Sequence, residues 1–215
     1  MALHCLLSDP ALEVVSLLTT VTEGYDRISM HGVRRELLHR QAECIGLPLV
    51  EVSIPPQCVN PIYEARMADA VLRFRDRGVM HFGFGDIFLR DLRTYRETKL
   101  LRANMTALFP LWDIDTRELA ARFVRDGFCA FTACIDPRKL GKSFAGRKLN
   151  ADFFHDLPPD VDPCGENGEF HTFVFDGPIF RSPIPVRTGE VVERDSFVFC
   201  DLLLDSKGEH ECSAK

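Results

Sequence analysis

The sequence predicts an α/β protein: a doubly wound, mostly parallel sheet of Rossmann-like type, with a small β-rich appendage at the C-terminal end. Three observations predict it. Strand-like apolar runs alternate with helical stretches through the first two-thirds of the chain, joined by short connections. Those runs are apolar on both faces, as in a parallel sheet covered by helices. After Asp136 the texture changes, first to a basic, Gly-containing stretch over 139–148, then to an acidic, Pro-interrupted one over 152–162. The expected division is an α/β domain over 1–136 and a C-terminal region over 137–215.

Taken in order, residues 2–7 read as the end of a helix, stopped by Ser8, Asp9 and Pro10. Residues 13–21 are a β-rich apolar run. Ser29 is placed to cap a helix ending at Gly46, with Val33, Leu37, Leu38, Cys44 and Ile45 on one face. Residues 49–54 read as a second strand. Asn60-Pro61 starts a helix, with Asn as N-cap, that ends at Gly78. A third strand covers 79–85, a polar helix 90–102 and a fourth strand 107–112. Asp115 and Glu118 have capping-box spacing and open a helix that stops at Gly127. A fifth strand covers 128–135. From Phe170 the chain is β-rich, with a turn at Asp176-Gly177-Pro178. Residues 191–192 and 197–204 read as a hairpin about Arg194-Asp195. No internal repeat or low-complexity tract interrupts the pattern, and the tail from Asp205 is polar.

Composition narrows the function classes. With 215 residues, 46% of them hydrophobic, the chain can bury a substantial core. A net charge of −6 argues against a broad nucleic-acid face, which needs a basic surface. No apolar run is long enough to span a membrane, and no signal peptide is visible at the start. The eight cysteines show no Cys-x-x-Cys spacing and mostly lie in apolar runs. They read as reduced thiols packed as small hydrophobes, which places the protein in the cytoplasm. Cys129 and Cys134 are an odd number apart on an expected strand and face opposite ways, so zinc binding with Cys164 is not expected. The acids beside Cys164 raise its pKa and argue against a nucleophile there.

The stretch richest in chemistry is 164–175, Cys-Gly-Glu-Asn-Gly-Glu-Phe-His-Thr-Phe-Val-Phe. Gly165 and Gly168 give the backbone room to approach a ligand. Glu166 and Glu169 sit three apart on the flexible part, and His171 and Thr172 follow where the chain enters an apolar run. A loop presenting carboxylates and a histidine beside a rigid strand is a common way to build a site. The same residues also describe a Gly-rich turn with solvated acids leading into a buried strand.

This stretch resembles the Gly-Glu-x-Gly-Glu-[Phe/Tyr]-x-Thr signature of the diphthine–ammonia ligase family, which belongs to the phosphate-loop ATP pyrophosphatases of the adenine-nucleotide alpha hydrolase type. Supporting stretches are 30–36 (Met-His-Gly-Val-Arg-Arg-Glu), 84–88 (Phe-Gly-Asp-Ile-Phe) and 109–112 (Phe-Pro-Leu-Trp), and the likeness is to the bacterial branch. It runs over nearly the whole chain. It implies an ATP-dependent, AMP-forming ligase: a carboxylate is adenylated with release of pyrophosphate, and ammonia then displaces AMP to leave an amide. ATP and Mg²⁺ are the implied cofactors, and a small-molecule or protein carboxylate with ammonia the implied partners. A homodimer is compatible with the sequence.

The resemblance has one large gap. Members carry Ser-Gly-Gly-x-Asp-Ser at the start of the fold, and no such loop exists here; Gly141-Lys142-Ser143 lacks the upstream glycine of a Walker loop. Either the chain begins at an internal methionine of a longer polypeptide, or the loop has been lost along with ATP turnover. The exposed central edge that a missing first strand would leave favours the first.

Ligands of such sheets bind beyond the carboxyl ends of the strands, which points to three further places. Thr19 and Thr20 end the first visible strand, where the resemblance implies adenine; they are equally a strand end with small polar residues. His31, Arg34 and Arg35 lie in the first turns of the helix that Ser29 is placed to cap, where cations oppose the dipole and need an anion. That anion is a phosphate, or Glu23, Asp26 or Glu36. Gly85-Asp86 follows the third strand, where Asp86 could hold a metal, orient an amine or cap the next helix; Arg90, Tyr95 and Arg96 lie downstream. By resemblance, Glu166, Glu169, His171 and Asp86 are the catalytic candidates. Thr19, Thr20, His31, Arg34 and Gly85 are the nucleotide-binding candidates, and Gly165, Asn167, Gly168 and Thr172 the substrate-binding ones. The alternative is a non-catalytic binding module of the same fold. A sulfurtransferase acting on tRNA fits less well with the acidic balance.

Overall fold

The computed structural model describes residues 1–24, 26–28 and 32–205. In chain order the elements are α1 (Ala2–Ser8), β1 (Leu17–Thr22), α2 (Arg35–Ile45), β2 (Leu49–Ile54), α3 (Asn60–Asp76), β3 (His81–Gly83), α4 (Arg90–Leu101), β4 (Thr106–Leu108), α5 (Thr116–Arg125), β5 (Cys129–Ile135), α6 (Ala151–His155), β6 (Phe170–Asp176), β7 (Val186–Arg194) and β8 (Phe197–Leu204). They divide into two units. The first contains Met1–Gly24 and Leu49–Asp115; the second spans Tyr25–Pro48 and Thr116–Lys215.

The first unit holds two parallel pairs. β1 runs beside β2, from Leu17 opposite Leu49 to Thr22 opposite Ile54. β3 runs beside β4, from His81 opposite Thr106 to Gly83 opposite Leu108. Leu100, Ala103 and Met105 are buried against Val71, Val79, Phe82 and Phe84 and fasten the α4–β4 segment to β3. Pro61 sits in the first turn of α3, where its missing N–H costs nothing. The N-cap, however, is Val59, and Asn60 already belongs to the helix.

The second unit is an antiparallel sheet in the order β6-β5-β8-β7. β7 and β8 form the expected hairpin. Its turn is made by Asp195 and Ser196, at φ 52° and 66°, the left-handed pair of a type I′ turn that matches strand twist. One core cluster joins Val33, Leu37 and Cys44, at and along α2, to Ala133, Phe173, Ile184, Cys200 and Leu202 of this unit. That apolar side is why 25–48 folds with the C-terminal part of the chain. A second cluster gathers Ile135, Leu140, Phe153, Phe170 and Val198. α2 ends on Gly46 at φ 83°, whose N–H bonds to the Ala42 carbonyl at 2.8 Å. The cap expected at Ser29 lies outside the described residues.

The structure is thus mixed α/β, but it differs from one doubly wound sheet. The parallel strands form two separate pairs, and the 128–135 run is not a fifth parallel strand. β5 pairs antiparallel with β6 and β8. Its apolarity on both faces reflects burial between two layers of the second unit, which a buried strand of either direction would show.

Candidate functional site

The loop before β6 is a closed hydrogen-bonded structure built on Glu169. This carboxylate is only 4% exposed. Its Oε1 accepts from the Asp162 backbone N–H at 3.1 Å and from Asn167 Nδ2 at 3.0 Å, and its Oε2 accepts from the Asn167 backbone N–H at 3.0 Å. A buried carboxylate needs such donors to offset its lost hydration. Asp162 supplies the second clasp: its Oδ2 accepts from the Glu166 N–H at 2.8 Å. Backbone bonds from Gly165 to Asp162 (2.9 Å) and from Gly168 to Gly165 (3.0 Å) complete two consecutive turns. Gly165 is at φ 67°, and a Cβ there would stand 2.7 Å from the Phe170 carbonyl oxygen, so only glycine fits. Cys164 Sγ reaches the Thr116 carbonyl at 3.3 Å.

The loop is anchored to β5 where Asp136 N–H bonds to the Glu169 carbonyl at 2.9 Å. The Asp136 carboxylate is itself buried and is gripped by Arg138, at 2.9 Å from its backbone N–H and 2.7 Å from Nη2. That guanidinium holds the Asp136 carboxyl below its ordinary value. On β6, His171 lies opposite Cys134 and Thr172 opposite Thr132. Burial pushes the His171 pKa down and favours neutral imidazole. Glu166 is half-buried, with its backbone fixed by Asp162. The structure therefore brings Gly165, Glu166, Asn167, Gly168 and Glu169 into one rigid loop that leads into His171 and Thr172. The hydrogen bonds to the Glu169 carboxylate described above, from Asp162 and Asn167, lie within the loop.

The anion that Arg34 needs is Asp201. Arg34 grips it with both arms, Nε to Oδ1 at 3.0 Å and Nη2 to Oδ2 at 2.7 Å. Arg27 Nη1 adds a contact at 3.0 Å while donating to the Gly32 carbonyl at 2.7 Å. Both arginines hold the Asp201 carboxyl below its ordinary value, the hydrogen bond from Arg34 contributing most. The partner lies 167 residues away, beyond the local acids named from the sequence. His31 lies outside the described residues.

In the first unit, Thr19, Thr20 and Gly85 border one cleft of about 1330 Å³. Asp86 is 8% exposed, and Arg96 neutralises it, with Nε 2.8 Å from Oδ2 and Nη2 3.2 Å from Oδ1. The Arg96 guanidinium also lies over the Phe84 ring, 4.4 Å from its centroid. Among the described residues no group of three His, Cys, Asp or Glu side chains could hold a metal ion.

Sequence reasoning missed Asp162, Asp136 and Asp201. Asp162 had a signal: an aspartate four residues before Glu166, at the start of a Gly-punctuated loop, is placed to accept from that backbone. Asp136 had one too: Asp136-Pro137-Arg138 places the carboxylate to accept from the N–H and guanidinium two residues on. Asp201 depends on tertiary pairing and had none.

Residues 115–203 match the Diphthamide synthase C-terminal domain. A diphthine–ammonia ligase of Schizosaccharomyces pombe is 28% identical over 88% of this chain and 34% of its own length. A diphthine–ammonia ligase of Danio rerio is 28% identical over 70% of this chain and 65% of its own length. The chain thus spans about a third of the first relative and somewhat under two-thirds of the second. Among the described residues no helix is long and apolar enough to cross a membrane.

Proposed function

We propose that this chain is the acceptor-side part of an ATP-dependent, AMP-forming amide ligase of the diphthine–ammonia ligase kind. The observation that carries the reading is the 162–169 loop, organised on a buried Glu169, inside the stretch that matches the Diphthamide synthase C-terminal domain. ATP would supply the energy of carboxylate activation. The described residues do not themselves fit its triphosphate and metal. Arg34 and Arg96, the cations at the candidate positions, are each paired with an aspartate, and no metal-holding cluster is present among the described residues. The phosphate-binding loop would then be provided by polypeptide outside these 215 residues, and the parallel pairs of the first unit would be parts of one nucleotide-binding sheet.

Within that reading Glu166 is the working acid. It sits on a fixed backbone, half-buried, and takes a proton from ammonia as the amide forms. Glu169 and Asp162 position it. Neutral His171, on the adjoining strand, is a second acceptor. The free thiols among the described cysteines suit a cytoplasmic setting.

The test is AMP formation by the full-length protein given ATP, Mg²⁺, ammonium and a diphthine-bearing protein. AMP should appear only when carboxylate and ammonium are both present. Glu166→Gln should lower kcat about 100-fold or more with little change in KM for the carboxylate. No ammonium-dependent AMP formation with the intact protein would sink the reading. The pairing of both arginines favours, as a second reading, a binding module without turnover; nucleotide binding with no AMP formation would support it.

A further inference from the structure

Asn167-Gly168 is the one Asn-Gly pair in the sequence; the other asparagines, Asn60, Asn104 and Asn150, precede proline, methionine and alanine. An Asn-Gly pair can react with itself, because glycine has no side chain to hold its nitrogen away from the carboxamide before it. The Gly168 nitrogen gives up its proton and bonds to Asn167 Cγ. The Cγ–Nδ2 bond breaks, and Nδ2 takes that proton and leaves as ammonia. Water then opens the cyclic imide, giving aspartate where it adds at Cγ and isoaspartate where it adds at the backbone carbonyl. Water is the only co-reactant.

The glycine side of this pair is open. Asn167 is exposed, and a Cβ on Gly168 would meet nothing within 4 Å. Hydrogen bonds are what hold the reacting groups apart. Asn167 Nδ2, the leaving group, donates to Glu169 Oε1 at 3.0 Å, and the Asn167 N–H donates to Oε2 at 3.0 Å. The Gly168 N–H, the nucleophile, donates to the Gly165 carbonyl at 3.0 Å. Reaction requires both groups to be released, so its rate follows the population of the opened loop.

The product cannot rebuild the clasp. A carboxylate at position 167 presents an oxygen to Glu169 Oε1 where Nδ2 donated, and Glu169 is 4% exposed, so the two like charges are poorly screened. Isoaspartate also adds a carbon to the main chain between the Asn167 and Gly168 nitrogens, which breaks the turn from Gly165 to Gly168.

We propose that Asn167 is a site of spontaneous deamidation gated by opening of the 162–169 loop, and that its conversion locks the loop open. The inference rests on the hydrogen bonds of the loop, and no ligase activity enters its test. The 215-residue chain, its Glu169→Gln variant and the blocked peptide Gly-Glu-Asn-Gly-Glu-Phe are aged in neutral buffer. Aspartate and isoaspartate at position 167 are counted by peptide mass spectrometry. The parent chain should react at least about tenfold more slowly than the peptide, and Glu169→Gln about tenfold or more faster than the parent. Asn60, Asn104 and Asn150 should stay intact in both chains. Asn167→Asp reproduces the product: its Asp162 amide should exchange at least about tenfold faster than in the parent. Asn167→Ala, which loses the donor without gaining the charge, should fall between. The proposal is overturned if the parent reacts as fast as the peptide, or if Glu169→Gln reacts no faster than the parent. It is equally overturned if Asn167→Asp keeps the protection of the parent or exchanges no faster than Asn167→Ala. Should Glu169→Gln not fold, the comparisons of parent with peptide and with Asn167→Asp decide alone.

Discussion

Replacing Glu169 by glutamine is the sharpest probe of the loop. The substitution keeps the shape but exchanges one carboxylate oxygen for an amide nitrogen. The side chain will turn its remaining oxygen toward the position that serves two donors, Asp162 N–H and Asn167 Nδ2. The new NH₂ then faces the Asn167 N–H, donor against donor. A hydrogen bond to a charged acceptor contributes about 1.5–3 kcal/mol, and Asn167 is exposed, so the lower part of that range applies. A loss of about 2 kcal/mol raises the population of the opened loop about 30-fold, at 1.4 kcal/mol per factor of ten. Amide exchange at Asp162 and Asn167, read by NMR, should accelerate by that factor in Glu169→Gln, while Glu166→Gln leaves both amides as they are. If the two amides in Glu169→Gln stay within about threefold of the parent, the carboxylate is not what holds the loop.

Three other outcomes follow from the same reasoning. Asp201→Asn should cost about 1 kcal/mol at pH 7, since it strips two arginines of a partly exposed partner. Because the Asp201 carboxyl is depressed in the fold, its contribution is present above the ordinary value of 3.8 and is lost as pH falls through the folded value; denaturation curves of variant and parent should converge in acid. Gly165→Ala should destabilise by about 2 kcal/mol or more, from a left-handed φ and a clash with the Phe170 carbonyl, and an unchanged denaturation midpoint would contradict the geometry. Ser196→Gly should stabilise the β7–β8 hairpin by about 0.5–1 kcal/mol, because glycine holds φ 66° without strain; a lower midpoint would refute the turn assignment.

What could be read from the sequence was local. The stop of α2 at Gly46 and the hairpin about Arg194 and Asp195 are encoded within a few residues of where they act. The glycines of the 164–172 stretch announced a tight loop for the same reason. What could not be read was decided at long range. The apolar run over 128–135 carries no mark of its neighbours, and only packing makes β5 the partner of β6 and β8. Arg34 advertised a need for an anion but not that Asp201 would meet it. Glu166 and Glu169 look alike on paper; only the fold shows that the Glu169 side chain turns inward onto donors of its own loop.

Thr132 has a further consequence. Its side chain is fully buried; its hydroxyl donates to the Phe144 carbonyl and accepts from the Arg147 N–H at 3.0 Å. Its own N–H and carbonyl bond to Arg147 and Gly146 at 2.9 and 3.0 Å. The stretch from Lys139 to Lys148 is therefore sewn to β5 along its backbone, although its four basic residues make it the richest run of trypsin sites in the second unit. A protease must draw a cleavable segment out as an extended strand, and here that means unpicking a buried hydroxyl and a core strand together. The most cuttable sequence in this half of the chain thus reports on the integrity of the whole unit, and its scission marks global unfolding rather than local fraying.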